Sequence, residues 1–308
     1  MDDLICYFNG EYLRQSDVKI SPWDTALWQG MVYEMSRTYN HVPFFWREHI
    51  DRMYHSLRYV RIDPGLTREE MYNITLEVFQ LNKRYLPPED DFVVAHGVSR
   101  GARTNPYSTD SPTIPTVLVN LCNISPAYNM QAKIYQKGIH LVVVNTRQIP
   151  IQCLDPKSKI TNRMCNTMAS LEAKIVDPEA WALMLDVNGR VAEGSTYNCF
   201  IVRDGKLLTP KLDNILAGVT RATVLRLARE LGIETEEKDL WVYDLYNADE
   251  IFVTAQSFTI GPVAKFNDRV LPVPIPGLIT NQLLLAFSKL VGVDIVKRVL
   301  NLVKVNGG

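Results

Sequence analysis

Apolar residues along this chain recur at two periods, close to two and close to 3.6, and switches between them outline its elements. At the start, Ile5-Cys6-Tyr7-Phe8-Asn9-Gly10-Glu11-Tyr12-Leu13 sets β-forming residues on both sides of Asn-Gly, which predicts an opening hairpin. Trp28 to Met35, with Gly30 inside it, reads as a short helix leading into the alternating stretch Tyr33 to Tyr39, a strand whose alternate side chains face a pocket. Ile50, Met53, Tyr54 and Leu57 fall at helical spacing within His49 to Val60, and Thr67 with Glu70 makes the capping box of a second helix ending near Leu81. Strand-like runs follow at Phe92 to Ala95 and Thr116 to Leu121. They flank a loop, Arg100 to Pro115, rich in turn formers.

Between Asn123 and Gly138 the apolar pattern weakens around Pro126, which places an interdomain link at 123–138, a first domain over 1–122 and a second over 139–308. The second opens on the strand Ile139 to Val144. After Lys159 comes a helix in which Met164, Met168, Leu171 and Ile175 share one face and Asn162 caps the start. Ala182 to Glu193 spells a strand, an Asn-Gly turn and a returning strand; Asn198 to Val202, Asp204-Gly205 and Leu207-Leu208 continue it as a meander. A helix from Arg221 to Leu231 takes Thr220 as N-cap, turns Val224, Leu227, Ala228 and Leu231 inward and stops at Gly232. Ile251 to Thr254 is a strand, and Leu278 to Leu290 a helix before a short charged tail. Strands and helices mix without regular βαβα alternation, so the fold class is α+β.

At 308 residues, two domains or one large core with a smaller partner are expected. Charged residues make up 22%, hydrophobic residues 46%, and the net charge is -1, which sets aside disorder and a nucleic-acid-binding surface. No apolar run reaches the length of a membrane span, and Asp2 and Asp3 stand where a signal peptide carries positive charge, so a cytoplasmic protein is expected. The five cysteines show no C-x-x-C spacing and the five histidines no H-E-x-x-H pair, so neither a disulfide framework nor a metal site is expected.

Two residues point to chemistry. Lys159, in Leu154-Asp155-Pro156-Lys157-Ser158-Lys159-Ile160-Thr161-Asn162, is an amine at the approach to a helix; Glu193 is an acid on a hairpin strand beside apolar Val191 and Ala192. A lysine able to form a Schiff base and a half-buried acid able to hold a ring nitrogen charged are what a pyridoxal phosphate enzyme requires. A buried acid needs a partner, and a pyridinium would supply one. Two further demands are donors for a phosphate and a means of orienting a carboxylate. The N–H groups of Val219 and Thr220 with the Thr220 hydroxyl make an anion cradle at a helix start. An arginine would complete it, and Arg52, Arg47 and Arg58 all qualify by position. Each of these residues also has an ordinary reading as a solvated side chain, and it is their conjunction that carries weight.

Together the pieces resemble the class IV, fold type IV, pyridoxal phosphate aminotransferases, the group of branched-chain and D-amino acid aminotransferases, R-selective amine transaminases and aminodeoxychorismate lyases. The family's E-G-x-x-x-N-x-F motif stands here as Glu193-Gly194-Ser195-Thr196-Tyr197-Asn198-Cys199-Phe200, and its L-x-G-[IV]-T-R segment as Leu216-Ala217-Gly218-Val219-Thr220-Arg221. Its E-H-[ILM]-x-R-L run matches Glu48-His49-Ile50-Asp51-Arg52-Met53, which singles out Arg52, and the family lysine matches Lys159.

The resemblance implies a small N-terminal α/β domain, a larger C-terminal domain with a barrel-like sheet, pyridoxal 5'-phosphate between them, and a homodimer. It implies cofactor contacts from Arg52, Glu193, Asn198, Leu216, Val219, Thr220, Ala255 and Gln256, and a substrate pocket drawing on Tyr33, Met35 and Arg37. The loop Arg100-Gly101-Ala102-Arg103 resembles the one that supplies a carboxylate-binding arginine in the D-amino acid branch. Met164 stands where branched-chain enzymes carry a tyrosine. The expected activity is transamination by a ping-pong mechanism between an amino acid or primary amine, apolar side chains favoured, and a 2-keto acid. A lyase of the aminodeoxychorismate type and a non-catalytic cofactor-binding relative are the alternatives.

Overall fold

A computed structural model describes residues 3–105, 107–108 and 113–306, with side chains described to residue 303. Positions 106 and 109–112 of the loop expected over 100–115 lie outside the described residues, as do Met1 and Asp2. The chain forms two compact units, one of Met1–Ser125 with Ser158–Asn162, the other of Pro126–Lys157 with Arg163–Gly308.

In the first unit the opening hairpin forms as expected, β1 (Ile5–Phe8) with β2 (Glu11–Arg14), and the turn residues Asn9 and Gly10 take the positive φ that Asn-Gly tolerates. The short helix lies earlier than expected: α1 is Thr25–Trp28, because the Asp24 carboxylate caps it through the Ala26 N–H. The strand β3 (Val32–Tyr39) follows, then β4 (Val42–Phe44), α2 (Trp46–Tyr59), α3 (Arg68–Asn82), β5 (Phe92–Ser99) and β6 (Thr116–Asn123). The Thr67–Glu70 capping box opens α3. The strands make one antiparallel sheet in the order β2-β1-β6-β5-β3-β4. Trp46, Ile50, Met53 and Leu57 of α2 and Met71, Val78 and Phe79 of α3 bury against Val32, Val94, Val119 and Leu121. Period two decides which β3 residues face that core: Val32, Glu34, Ser36 and Thr38 are all fully buried. An acid in that row is the anomaly on which the site turns.

Ser158–Asn162 packs with this unit although most of its sequence neighbours belong to the other. Ile160 bridges Val32 antiparallel and packs on the core, while the Tyr33 N–H donates to the Lys159 carbonyl. Lys159, expected in a domain over 139–308, therefore stands at the side of β3.

In the second unit the stretch read as a linker is instead helical: α4 is Tyr128–Lys137, with Tyr128, Ala132, Ile134 and Tyr135 buried. The strand β7 (Ile139–Arg147) leads to α5 (Met164–Val176), β8 (Trp181–Leu185), β9 (Val191–Gly194), β10 (Asn198–Arg203) and β11 (Lys206–Thr209). Then come α6 (Val219–Glu230), β12 (Thr235–Glu237), α7 (Val242–Tyr246), β13 (Glu250–Ala255), β14 (Thr259–Phe266), β15 (Arg269–Val270), α8 (Leu278–Val291) and α9 (Ile295–Asn306). The last of these stands where a charged tail was expected. The sheet runs β12-β11-β10-β13-β14-β7-β8-β9, with β15 on β14. Strands β9 and β10 are consecutive in the chain, joined only by Ser195–Tyr197, yet five places apart in that order. Laid flat, five places span about 24 Å, whereas four peptide steps reach about 14 Å. The sheet must therefore curl, which makes the expected meander a half-barrel, and Glu193 and Asn198 flank the tight return.

The α5 stripe of Met164, Met168, Leu171 and Ile175 does share one face, but that face is exposed; Asn166, Ala169 and Ala173 are the buried ones. Arg163, not Asn162, is the N-cap. Among the described residues no helix is long and apolar enough to cross a membrane.

Candidate functional site

The predicted residues fall into two groups, one in each unit. In the first, α2 presents His49, Arg52 and Ser56 at i, i+3 and i+7, so all three lie on one face. The Ser56 hydroxyl donates to the Arg52 carbonyl and accepts from the Lys159 N–H at 3.0 Å, which fixes the lysine backbone to that face. The Lys159 Nζ lies 3.5 Å from the Tyr33 hydroxyl and 4.4 Å from the centre of its ring, so the phenol confines the half-buried amine.

Arg52 is gripped from behind by Glu34. Its Nε donates to Oε2 at 2.8 Å and its Nη2 to Oε1 at 2.6 Å, while Oε1 also accepts from His49 Nδ1 at 3.0 Å and the Met35 N–H at 2.9 Å. Glu34 is fully buried, and burial alone would raise its pKa; the Arg52 charge and the His49 contact outweigh that and hold it well below the usual carboxylate range. Burial lowers the pKa of His49, and the positive charges of Arg52 and Lys159 lower it further, against the pull of Glu34. The pair is thus a carboxylate beside a neutral imidazole, whose Nδ1 carries the hydrogen it donates.

In the second unit, Glu193 on β9 is buried and accepts from Gln148 Nε2 at 2.8 Å, Asn198 Nδ2 at 3.0 Å and the Leu216 N–H at 3.0 Å. Three donors on two oxygens suit the ionised form. Asn198 Nδ2 also donates to the Leu216 carbonyl, so one amide ties β10 to the segment entering α6. Two glycines permit this crowding: a Cβ at Gly218 would stand 2.2 Å from Asn198 Oδ1, and one at Gly194 would stand 1.8 Å from the Tyr197 ring. The N-cap of α6 is Gly218, with no side-chain cap, rather than Thr220; Thr220 is the buried second residue, and Val219 and Thr220 present first-turn N–H groups. At the end of β13 stand half-buried Ala255 and Gln256, and the buried Gln256 Nε2 and Thr254 Oγ1 make no hydrogen bond among the described residues.

Two of the expected substrate arginines are engaged within the first unit. Arg37 is buried, with Nη2 3.8 Å from Asp91, Nε donating to the Thr38 carbonyl and its guanidinium over Tyr39. Arg100 donates to the carbonyls of Val60 and Arg61, closing the exposed C-terminal end of α2. Arg103 is half-buried, and its N–H donates to the Trp23 carbonyl. Met35 is partly exposed beside Tyr33. Met164 opens α5 with its side chain 70% exposed, and as a thioether it offers no hydrogen to donate.

Glu34, Gln148 and Ser56 escaped sequence reasoning. For Glu34 there was a signal: in the alternating strand it shares a row with Val32, and an acid in a core row demands a cation on the facing helix. For Gln148 there was none, because its contact with Glu193 spans 45 positions.

Comparison with known proteins places this geometry. The sequence pattern of amino-transferase class IV matches residues 31–266. A Methanocaldococcus jannaschii protein, provisionally named a branched-chain-amino-acid aminotransferase, is 36% identical over 282 residues, covering 90% of this chain and 93% of its own. The Escherichia coli branched-chain-amino-acid aminotransferase is 30% identical over 270 residues, 83% of each chain. The structure of a branched-chain amino acid aminotransferase complexed with N-(5'-phosphopyridoxyl)-L-glutamate superposes with a TM-score of 0.84 at 25% identity, over 95% of both chains. That of the Thermoproteus uzoniensis branched-chain aminotransferase with norvaline superposes with a TM-score of 0.82 at 27% identity, over 94% of this chain and 95% of its own. With this extent of likeness, the chain belongs to the class IV aminotransferases, on the fold of the branched-chain enzymes.

Proposed function

We propose that this aminotransferase works with pyridoxal 5'-phosphate and moves an amino group from an amino acid or primary amine with an apolar side chain to a 2-keto acid, in two half-reactions. The observation that carries the reading is Glu193, a buried carboxylate whose named hydrogen-bond partners are neutral donors. Three donors on one buried carboxylate hold its negative charge in place, as a cationic ring nitrogen requires. Other features fit the cofactor as well. The uncapped start of α6 offers N–H groups to a phosphate, and the buried Gln256 amide has a hydrogen to donate that no described residue accepts.

When bound, the cofactor supplies the aldehyde that exchanges amines and the electron sink that lets the substrate Cα lose its proton. In this reading Lys159 would hold the cofactor covalently and, once displaced by the donor's amine, its freed Nζ would take the proton from the substrate Cα, with the Tyr33 hydroxyl keeping the amine in place. Glu193 keeps the ring nitrogen protonated, and Asn198 keeps Glu193 in position. Arg52, Val219 and Thr220 would hold the phosphate, Leu216 would contact the ring, and Ala255 and Gln256 would border the phosphate and the substrate. Tyr33 and Met35 wall the side-chain pocket and Arg103 receives the carboxylate; Arg37 and Arg100, engaged elsewhere, do not. The branched-chain names of the relatives support an apolar amino acid as donor. The resemblance further supports a cytoplasmic homodimer, which light scattering on the purified protein would test.

The test is a half-reaction screen with L- and D-amino acids and R- and S-amines. Leucine or valine should bleach the visible band of the loaded protein, and a 2-keto acid should restore it. No spectral response to any amine would overturn the proposal.

A further inference from the structure

A fully buried acid in a sheet face is an expensive way to fill space. An ion pair in the core rarely stabilises more than a well-packed apolar pair of the same volume. Glu34 is the most completely buried member of its cluster, its side chain 0% exposed, while the Arg52 side chain it holds is 12% exposed. The pair is therefore asymmetric: the acid is fully enclosed, and the arginine is the more exposed member. The fork takes Nε and Nη2, so the guanidinium plane and the direction of its Nη1 edge are set from behind. His49 Nδ1 and the Met35 N–H complete four donors on the carboxylate and keep it from rotating.

Building on the reading of Arg52 as the phosphate arginine, we propose that Glu34 is a positioning residue for cofactor binding: it aims the Arg52 guanidinium at the phosphate and is needed for phosphate affinity although it carries the same sign of charge. This reading has a sign that simple electrostatics does not. If charge alone mattered, removing a carboxylate beside the arginine would make the site more positive and tighten phosphate binding. If aim matters, removing it loosens binding. A glutamine keeps the size but loses the bidentate, charge-assisted fork.

The experiment is a titration of the full chain, stripped of cofactor, with pyridoxal 5'-phosphate and separately with pyridoxal, which lacks the phosphate. The proteins are wild type, Glu34→Gln, Arg52→Ala and the double variant. Groups that orient a ligating residue typically matter 10- to 100-fold, so Glu34→Gln should weaken pyridoxal 5'-phosphate about tenfold. It should leave pyridoxal binding unchanged and cause no added loss once Arg52 is alanine. Unchanged or tighter binding of pyridoxal 5'-phosphate by Glu34→Gln, with Arg52→Ala weakened, would overturn the proposal and leave the role of Arg52 standing. Equal losses for both ligands would overturn it in favour of a purely structural acid. If Arg52→Ala binds like wild type, the phosphate reading itself fails and the proposal with it. Should the glutamine variant not fold, Glu34→Asp keeps the charge, withdraws the fork by one methylene, and is read by the same three criteria.

Discussion

Each unit buries a glutamate at the candidate site, Glu34 in one and Glu193 in the other, and the two are satisfied in opposite ways. Glu34 meets a guanidinium and an imidazole, so its cluster is a carboxylate matched by a cation. Glu193 accepts from two side-chain amides and a backbone N–H, neutral donors that fix its oxygens. An acid matched to a cation within the fold is suited to holding that cation still. One held by neutral dipoles keeps a field to act on something bound. In the proposed function the same residue type thus serves as scaffold in one unit and as reagent in the other.

Substitutions break or sharpen this contrast. The largest effect belongs to Lys159, the amine beside the Glu34 cluster: Lys159→Ala should lower turnover by about 10^5-fold, the scale seen when a covalent catalytic group is removed. A rate within tenfold of wild type in a steady-state assay would place the chemistry on another residue. Next, Glu193→Gln should cost about 10^2- to 10^3-fold in kcat with cofactor saturating, as loss of a preorganised charge does. Glu34→Gln should act on cofactor affinity instead. If the two variants exchanged phenotypes, the division between scaffold and reagent would be lost.

The third effect is on stability. His96 pairs across the sheet with Glu34, and burial lowers its pKa from 6.5 to about 4. Between those values the unfolded chain holds a proton that the folded chain does not, so each step down in pH favours unfolding, by about 3 kcal/mol in all, and the loss is complete below about pH 4. Urea unfolding of wild type and His96→Gln at pH 7 and pH 4 should show a smaller loss for the variant; equal losses would remove His96 from the account. The smallest effect separates the two loop arginines. Arg103→Ala should raise KM for the amino acid about 10- to 100-fold through loss of a charge-assisted contact. Arg100→Ala, whose side chain closes a helix end, should leave KM within about twofold.

Local signals in the sequence carried far. The hairpin at Asn9-Gly10, the Thr67–Glu70 box, the strands around Asn188-Gly189 and the Glu193 motif each depend on residues a few positions apart. Failures begin where a contact spans the chain. Lys159 joins the N-terminal sheet through Ser56 and Tyr33, more than a hundred positions away, and nothing in Ser158–Asn162 announces that. Period 3.6 grouped Met164, Met168, Leu171 and Ile175 correctly but did not say which face is buried, because small Ala169 and Ala173 allow the closer approach to the sheet. Thr220 resembled an N-cap, yet Gly218 holds that place because Asn198 leaves no room there for a side chain. The partners of Arg37 and Arg100, Asp91 and the carbonyls closing α2, are likewise distant in sequence and not legible in it.

The account rests most heavily on which amine carries the cofactor. Loaded protein reduced with borohydride, digested and sequenced by mass spectrometry should show the phosphopyridoxyl mass on Lys159 alone. Label on Lys157 or any other lysine, with Lys159 unmodified, would contradict it.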